Sequence, residues 1–392
     1  MDNETAGRID NIIKEAIDDG VTMGANLLVY KDGTECFYCE HGYADREAGI
    51  KISRDNIFRL YSMSKPITAV AAMILMQEGR LDIGQPVDEI LDGFKGQKRE
   101  DENGNTVDEP VRMTVQDLLN MTSGLSYGGM GSLSERSTLR LIADIEKKMF
   151  TDDAMTTLEV AEAIGKLPLK FTPGSSWCYG LSADVLGAVI EKISGKRFGD
   201  FLEENIFKPL GMKDTGFFVP QDKQYRLAKS YASVSKGEMV LYTGNNLAVS
   251  NDMKERPAFE SGGAGLVSTI DDYMRFCLML LNKGSYDGTR ILSGKTVSFL
   301  TSGNLTGRQQ EVMDSTWPSL LGFTYSHLMR QMRDPGSAAS LSSMDEYGWD
   351  GWLGCYFACM PSDNMAMVLM QQKKDSGTIP MTRKLRNVII GM

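Results

Sequence analysis

The sequence predicts an α+β protein whose antiparallel sheet is flanked by helices and interrupted by an inserted, mostly helical lobe. Three observations lead to this fold class. One hairpin pattern stands near the start of the 392-residue chain, a second stands near its end, and the residues between them follow mostly helical periodicity. Because 42% of the residues are apolar, a chain of this length can bury a sizeable core and form two lobes.

A helix and a hairpin are the first predicted elements. Apolar residues between Ile9 and Ala16 recur at the spacing of an amphipathic helix. Residues 25–30 and 35–40 then form two strand-like runs, and the KDGT sequence at 31–34 between them is typical of a hairpin turn. An edge of a sheet therefore forms early in the chain.

The middle of the chain predicts an inserted helical lobe. Helical periodicity covers residues 67–77, 115–120, 139–148, 157–164, 182–193 and 269–281. The segment 95–110 is charged and rich in glycine and asparagine, which predicts an exposed loop. We therefore expect a sheet domain formed by residues 1–85 and 255–392 and a mainly helical domain formed by residues 86–254.

The last predicted elements return to the sheet. Residues 355–360 and 365–371 read as two strands joined across the PSDN sequence at 361–364, and a helical segment follows from about Thr382. Strands at the two ends of the chain are expected to share one antiparallel sheet.

Charge and composition exclude several classes of function. The net charge of −10 argues against a nucleic-acid partner or an anionic membrane surface, because both require clustered lysine and arginine. The longest apolar run, residues 69–76, is too short to span a bilayer, and the first residues lack the pattern of a secretory signal, so a cytoplasmic location is expected.

The six cysteines predict reduced thiols, and we expect no metal and no cofactor. In particular, Cys36 and Cys39 form a CxxC pattern, but on a strand they point to opposite faces.

One familiar hydrolase motif is present but unconvincing. Residues 124–128 read GLSYG and match GxSxG, which works only on a sharp strand-to-helix elbow. Here the flanks are a helix-like segment and a glycine-rich loop. A triad would also need a histidine, and neither His41 nor His327 has an obvious carboxylate motif nearby. We therefore interpret Ser126 as part of a turn rather than as a nucleophile.

A second motif, SxxK, occurs twice, and its context separates the two copies. Ser62 and Lys65 precede Pro66 and an apolar helix that is predicted to be buried nearly all round. The SVSK at 233–236 stands between strand-like runs, so Lys236 is expected to be an exposed hairpin lysine. Only the first copy has the context of a buried site.

Burial would give the first SxxK copy its chemistry. A serine at a helix N-terminus has a free backbone N–H that can face an oxyanion. Lys65 lies about one turn beyond Ser62, so its amine can reach the hydroxyl, and desolvation lowers a lysine pKa as a general base requires. The alternative is that Ser62 only caps the helix and Lys65 is solvated.

Several spaced motifs, in order, resemble the penicillin-recognising serine hydrolases, a group that includes class C β-lactamases, DD-peptidases and family VIII carboxylesterases. The matching segments are SMSK at 62–65, LLNMTSGL at 118–125, LPLKFTPG at 167–174, WCY at 177–179, DVLG at 184–187, PLGM at 209–212 and GGAGL at 262–266. The resemblance runs from about residue 20 to the end. It implies a β-lactamase-like fold with the active site at the interface of the two domains.

The resemblance implies a catalytic role for Tyr179. The family carries Tyr-x-Asn at this place, and Tyr179 is followed by Leu181 at the position of the asparagine. The phenol would bridge Ser62 and Lys65, relay the serine proton and later help to activate water. Such a relay near neutrality would require a nearby ammonium to lower the phenol pKa. Leucine cannot supply the hydrogen bonds of the missing amide.

A third family element is also altered. β-Lactamases carry Lys-Thr-Gly, whereas Trp349, Asp350 and Gly351 stand at the matching place, close to the Trp-Gly-Gly of family VIII esterases. The resemblance implies that the oxyanion hole is formed by the backbone N–H groups of Ser62 and Trp352. The lost lysine and the gained Asp350 disfavour anionic substrates. If Asp350 points away from the site, as one of two strand neighbours does, this preference rests on the missing lysine and the missing amide alone.

The sequence therefore predicts a serine esterase that cleaves small neutral acyl esters through an acyl-Ser62 intermediate. Leu181, Trp349, Asp350 and Gly351 are the expected substrate-binding residues. Two alternatives stay open: β-lactamase, D-aminopeptidase or acyltransferase activity with the same machinery, and a non-catalytic binding protein of the same fold. The sequence does not indicate an oligomeric state.

Overall fold

A computed structural model describes residues 1–235 and 237–392 of the chain, so Lys236, the predicted hairpin lysine, lies outside the described residues. The α-helices are α1 (Asn3–Asp18), α2 (Ser64–Gln77), α3 (Val115–Asn120), α4 (Leu133–Lys148), α5 (Thr157–Gly165), α6 (Ser182–Ser194), α7 (Phe198–Leu202), α8 (Lys208–Leu210), α9 (Ile270–Leu281), α10 (Gly294–Leu300), α11 (Gly307–Thr316) and α12 (Pro380–Ile390). The strands are β1 (Gly24–Lys31), β2 (Thr34–Asp45), β3 (Ile50–Lys51), β4 (Phe58–Arg59), β5 (Lys98–Glu100), β6 (Thr106–Asp108), β7 (Ser230–Ser235), β8 (Glu238–Tyr242), β9 (Val267–Ser268), β10 (Ser285–Tyr286), β11 (Thr289–Arg290), β12 (Phe323–Ser326), β13 (Met329–Met332), β14 (Tyr347–Asp350), β15 (Tyr356–Met360) and β16 (Met365–Gln371).

The two ends of the chain share one antiparallel sheet, as predicted. Its eight strands follow the order β12-β13-β14-β15-β16-β1-β2-β3, so the first long strand lies beside the last. Asp32 and Gly33 both have positive φ in the β1–β2 turn, which is the backbone that a tight hairpin matching the sheet twist needs. The second predicted hairpin, β15–β16, also forms.

The two faces of the sheet are covered by different helices. α1 and α12 pack on one face, where Ile13 and Leu385 are buried against Leu27 of β1. The opposite face belongs to the larger core, which includes Phe276 of α9 and Ile67 of α2. That larger core carries the segment around Ser62, so the predicted site lies on the side of the sheet away from α1.

Helices dominate the segment between the sheet strands, as predicted. α4 begins six residues before the predicted start because Ser132 and Glu135 form a capping box, a local signal that the periodicity does not contain. The loop expected at 95–110 contains the short hairpin β5–β6, so that expectation was wrong in part. A separate prediction, the division into domains at residues 85 and 255, stays a prediction.

All six cysteines are free, and four of them are buried. Within residues 1–235 and 237–392, the structure has no helix with both the length and the apolar character needed to cross a bilayer. The cytoplasmic location stays a prediction.

Candidate active site

Ser62 lies in a 3₁₀ turn, Tyr61–Met63, that leads directly into α2. Tyr61 has a φ of 45°, a left-handed backbone that is costly for a residue with a side chain. The edge-to-face contact of Tyr61 with the Trp352 ring, at 4.9 Å between centroids, holds this conformation. The strained turn leaves Ser62 partly exposed while both of its neighbours are buried.

α2 is buried on all sides over its first three turns. Every residue from Ser64 to Leu75 is buried, as the apolar sequence of the helix predicts. Tyr273 of α9 donates a hydrogen bond to the Met63 carbonyl, which ties the start of the helix to α9. The Lys65 amine at this helix start is therefore removed from bulk water.

The Lys65 amine has three hydrogen-bond partners. Its Nζ lies 3.1 Å from Ser62 Oγ, 3.0 Å from Tyr127 Oη and 2.8 Å from the carbonyl oxygen of Gly263. The alternative in which Lys65 is solvated is wrong, since the side chain is fully buried. The structure therefore brings Ser62 and Lys65 together as the sequence predicts.

Burial prepares Lys65 to act as a base. Desolvation lowers the pKa of Lys65 from 10.5 to about 7, and the negative charges of Asp184 and Asp350 partly oppose this shift. A neutral amine has two N–H donors and one lone pair, and the Gly263 carbonyl can only accept. The lone pair can therefore accept the proton of the Ser62 hydroxyl.

Asp184 of α6 supports this arrangement through the chain next to Gly263. Its Oδ1 accepts hydrogen bonds from Ser261 Oγ at 2.5 Å and from the Gly263 N–H at 3.1 Å. A Cβ at Gly263 would lie 2.8 Å from Asp184 Oδ2, so glycine is needed for this approach. The carboxylate thereby fixes the carbonyl that holds Lys65.

Tyr179 lies beside the same amine. Lys65 Nζ is 4.6 Å from the centroid of the Tyr179 ring, and Trp349 Nε1 donates to the phenol oxygen at 2.9 Å. Desolvation raises the pKa of Tyr179 well above its usual range, and contacts with Ser62 and Trp349 offset part of the increase. The expected lowering of this pKa by an ammonium is therefore wrong for the free site, because the burial of the phenol outweighs the contacts that favour its ionised form.

Aromatic rings surround the phenol. The rings within 6.3 Å of Tyr179, between centroids, are those of Tyr127, Trp177, Trp317, Tyr325 and Trp349. Trp317 and Trp349 also stack on each other at 5.7 Å. These rings form a largely apolar wall around the phenol.

The end of β14 approaches the Ser62 turn closely. A Cβ at Gly351 would lie 2.3 Å from the Leu60 carbonyl oxygen, so only glycine allows this contact. Across residues 1–235 and 237–392, neither the Ser62 N–H nor the Trp352 N–H donates a hydrogen bond to another protein group. Both groups are therefore available to an oxyanion, as the predicted hole requires.

The remaining predicted substrate residues have defined positions. Leu181 is buried immediately before α6. Thr378 Oγ1 donates to Asp350 Oδ2 at 2.6 Å, and desolvation raises the pKa of Asp350. Asp350 is thus held by the segment after β16, yet its charge still acts on Lys65.

Ser126 and the histidines do not form a triad. Ser126 Oγ lies 3.0 Å from Ser134 Oγ in a loop, not at a strand-to-helix elbow. His41 pairs at 2.8 Å with Asp10, a carboxylate from α1 that no motif near His41 in the sequence indicates. Burial lowers the pKa of His327 to about 4. Within the part of the chain that the structure describes, neither histidine hydrogen-bonds Ser126.

Sequence reasoning did not identify Tyr127 or Asp184 as parts of the site. Tyr127 directly follows Ser126 inside the GxSxG match, and no sequence pattern links it to Lys65, which it contacts in the structure. Asp184 belongs to the DVLG segment of the family resemblance. The available signal was a carboxyl in the first turn of an otherwise apolar predicted helix.

Comparisons with known proteins find a family model and relatives that match most of the chain. A family model described as Beta-lactamase matches residues 9–388. An uncharacterized protein of Mycobacterium tuberculosis (strain CDC 1551 / Oshkosh) is 30% identical over 368 residues, covering 92% of this chain and 88% of the relative. Esterase EstB of Burkholderia gladioli is 28% identical over 400 residues, covering 98% of this chain and 95% of that protein.

Two solved structures have the same fold. EstCE1, a hydrolase with promiscuous acyltransferase activity, superposes with a TM-score of 0.82 at 23% identity and covers 98% of both chains. A homologue of penicillin-binding proteins from Pyrococcus abyssi superposes with a TM-score of 0.72 at 19% identity, covering 98% of this chain and 77% of that chain. The predicted fold class is confirmed.

Proposed function

The chain belongs to the β-lactamase family, and we propose that it is a carboxylesterase that cleaves small neutral acyl esters through an acyl-Ser62 intermediate. One observation carries the proposal: the buried Lys65 amine lies 3.1 Å from Ser62 Oγ and has a pKa of about 7. That amine can take the serine proton near neutral pH without a histidine.

Acylation follows from the positions of these groups. The Ser62 proton moves to the neutral Lys65 amine as Oγ bonds to the ester carbonyl carbon. The N–H groups of Ser62 and Trp352 stabilise the oxyanion. When the C–O bond to the alcohol breaks, the Tyr179 phenol protonates the leaving oxygen, and the Lys65 ammonium returns a proton to the phenol. The alcohol leaves and the acyl group stays on Ser62.

Deacylation repeats the same steps with water. Lys65 is neutral again, so the amine accepts a proton from the incoming water, directly or through the Tyr179 phenol, as the water oxygen bonds to the acyl carbon. Collapse of the second tetrahedral intermediate breaks the bond to Ser62 Oγ, which regains its proton. The acid is released and the free enzyme is restored.

Three features of the site favour neutral esters. Leu181 supplies no amide to hydrogen-bond a peptide or β-lactam side chain. Trp349 stands at the place of the family lysine and Asp350 follows it, so no cation from that position meets a substrate carboxylate. The aromatic wall around Tyr179 suits an apolar acyl or alcohol group. The relative named Esterase EstB, which matches nearly the whole chain, is consistent with this preference.

Turnover of short-chain nitrophenyl esters by a set of variants tests the proposal. We expect Ser62→Ala to lower kcat by about 10³-fold or more, and Lys65→Ala and Tyr179→Phe to lose most of the activity. Ser126→Ala is the matched control, because it removes a buried hydroxyl that contacts Ser134 rather than Lys65. It should retain activity close to that of the wild type.

Other outcomes would overturn parts of the proposal. If activity disappears in Ser126→Ala and persists in Ser62→Ala, the assignment of Ser62 as the nucleophile is wrong. More efficient hydrolysis of a chromogenic cephalosporin than of any ester would contradict the substrate class. If a fluorophosphonate probe does not label Ser62, the chain is a non-catalytic binding protein of the same fold.

A further inference from the structure

Three metal-ligating side chains lie together on the sheet face opposite Ser62. Asp10 comes from α1, whereas Cys39 and His41 come from β2. One ligand atom of each residue lies within 4.8 Å of the ligand atoms of the other two. Nothing in the proposed ester hydrolysis uses these residues.

The fold brings the three side chains together through packing. Cys39 and His41 are two residues apart on a strand, so both project from the same face. α1 packs on that face through Ile9 and Ile13, which share a buried cluster with Cys39. Asp10, next to Ile9, is thereby held at the edge of this contact. The arrangement does not depend on a loop.

We propose that Asp10, Cys39 and His41 form a binding site for a divalent transition-metal cation of the Zn²⁺ class. A thiolate, an imidazole nitrogen and a carboxylate oxygen together are ligands that zinc accepts, whereas magnesium and calcium prefer oxygen alone. Three protein ligands leave a fourth tetrahedral position for water.

Local charge and access support the site. Asp10 has no lysine or arginine within ion-pair distance among the residues described by the structure, and its partner is His41, at 2.8 Å. His41 Nε2 and Asp10 Oδ1 therefore already lie close enough to share one cation. Binding would release the Cys39 thiol proton to solvent, and a neutral His41 would carry its single N–H on Nδ1 while Nε2 binds the cation. The side chains of His41 and Asp10 are 20% and 34% exposed, so an ion can enter from solvent.

The position predicts a structural role. Cys39 belongs to the cluster under α1 and α12, whereas Leu60 and Met63 beside Ser62 belong to the core on the other face. A cation held by Asp10 and β2 would fasten α1 to the sheet. We therefore expect Zn²⁺ to raise thermal stability without changing ester turnover.

The test uses the full chain without a polyhistidine tag. Titration with Zn²⁺, and separately with Co²⁺, should show one saturable site per chain, a thiolate-to-cobalt charge-transfer band and a rise in Tm of about 2–5 °C. Cys39→Ser, His41→Gln and Asp10→Asn should each weaken binding by about tenfold or more. Cys36→Ser is the matched control, because it removes the other cysteine of the CxxC pattern on the same strand and should bind normally.

Three results would overturn the proposal. The first is the absence of saturable Zn²⁺ binding to the wild type. The second is binding that survives in both His41→Gln and Asp10→Asn, whose side chains are partly exposed and whose replacement should leave the fold intact even if Cys39→Ser does not fold. The third is an equal loss of binding in Cys36→Ser, which would assign the ion to that thiol instead.

Discussion

Replacing Asp184 with asparagine should move the acid limb of the pH–rate profile to lower pH. Burial lowers the pKa of Lys65 from 10.5 to about 7, which at about 1.36 kcal/mol per unit is a cost of about 5 kcal/mol for charging the amine. The charge of Asp184 opposes this shift. Removing that charge should therefore lower the pKa of Lys65 further, by about 1 unit.

The substitution changes charge more than geometry. Oδ1 of Asp184 accepts from both Ser261 and Gly263, and the amide oxygen of asparagine can accept the same two hydrogen bonds. The Gly263 carbonyl should thus keep its position beside Lys65. A base with a lower pKa stays neutral at lower pH, so the variant should retain a larger share of its plateau activity at about pH 6 than the wild type does.

The assay is kcat/KM for a short-chain nitrophenyl ester measured between about pH 5 and pH 9. The wild-type midpoint should fall near the Lys65 pKa of about 7, and the Asp184→Asn midpoint about 1 unit lower. Asp271→Asn is the control, because its carboxylate is 38% exposed beside Arg54 and should not move the midpoint. An unchanged or higher midpoint in a folded Asp184→Asn protein would refute the assignment of this limb to Lys65.

Three further predictions concern groups around the site and in the core. Glu346→Gln should lower the free energy of unfolding by about 3–5 kcal/mol in urea denaturation, because it breaks the fully buried pair with Arg386; Glu4→Gln, in an exposed pair, should change it little. Tyr127→Phe should lower kcat more than it raises KM for a nitrophenyl ester, since it removes a hydroxyl 3.0 Å from the base lysine; equal changes in both constants would contradict this. Trp349→Phe removes the N–H that holds the relay phenol at 2.9 Å, so kcat should fall by about tenfold with the ester bond still cleaved; unchanged kcat would contradict this role.

Local patterns were sufficient for much of the fold. The β1–β2 and β15–β16 hairpins have short turns and alternating or apolar strands, and these signals lie within a few residues. The buried face of α2 is equally local, because its apolar residues leave no polar stripe. The prediction that strands at the two ends of the chain share one sheet is confirmed by the pairing of β1 with β16.

Long-range contacts explain what the sequence did not reveal. The pKa of Tyr179 depends on the burial of the phenol and on its contacts with Ser62 and Trp349, and both follow from the folded arrangement. The pairing of His41 with Asp10 joins residues from a helix and a strand that no motif links. The short β5–β6 hairpin likewise depends on a tertiary contact, because the Glu100 N–H donates to the carbonyl of Leu169.

The GxSxG match shows why a motif alone does not identify a nucleophile. In this chain the two glycines of the match allow close packing of the backbone. A Cβ at Gly124 would lie 2.5 Å from the Phe171 carbonyl oxygen, and a Cβ at Gly128 would lie 2.8 Å from Leu139 Cα of α4. The two glycines thus allow the loop to pass close to its neighbours rather than form an elbow. Within that loop Ser126 contacts Ser134, whereas the next residue places its phenol on the Lys65 amine. The same five residues therefore contribute to the site through their tyrosine, because the backbone path and not the motif decides which side chain reaches the base.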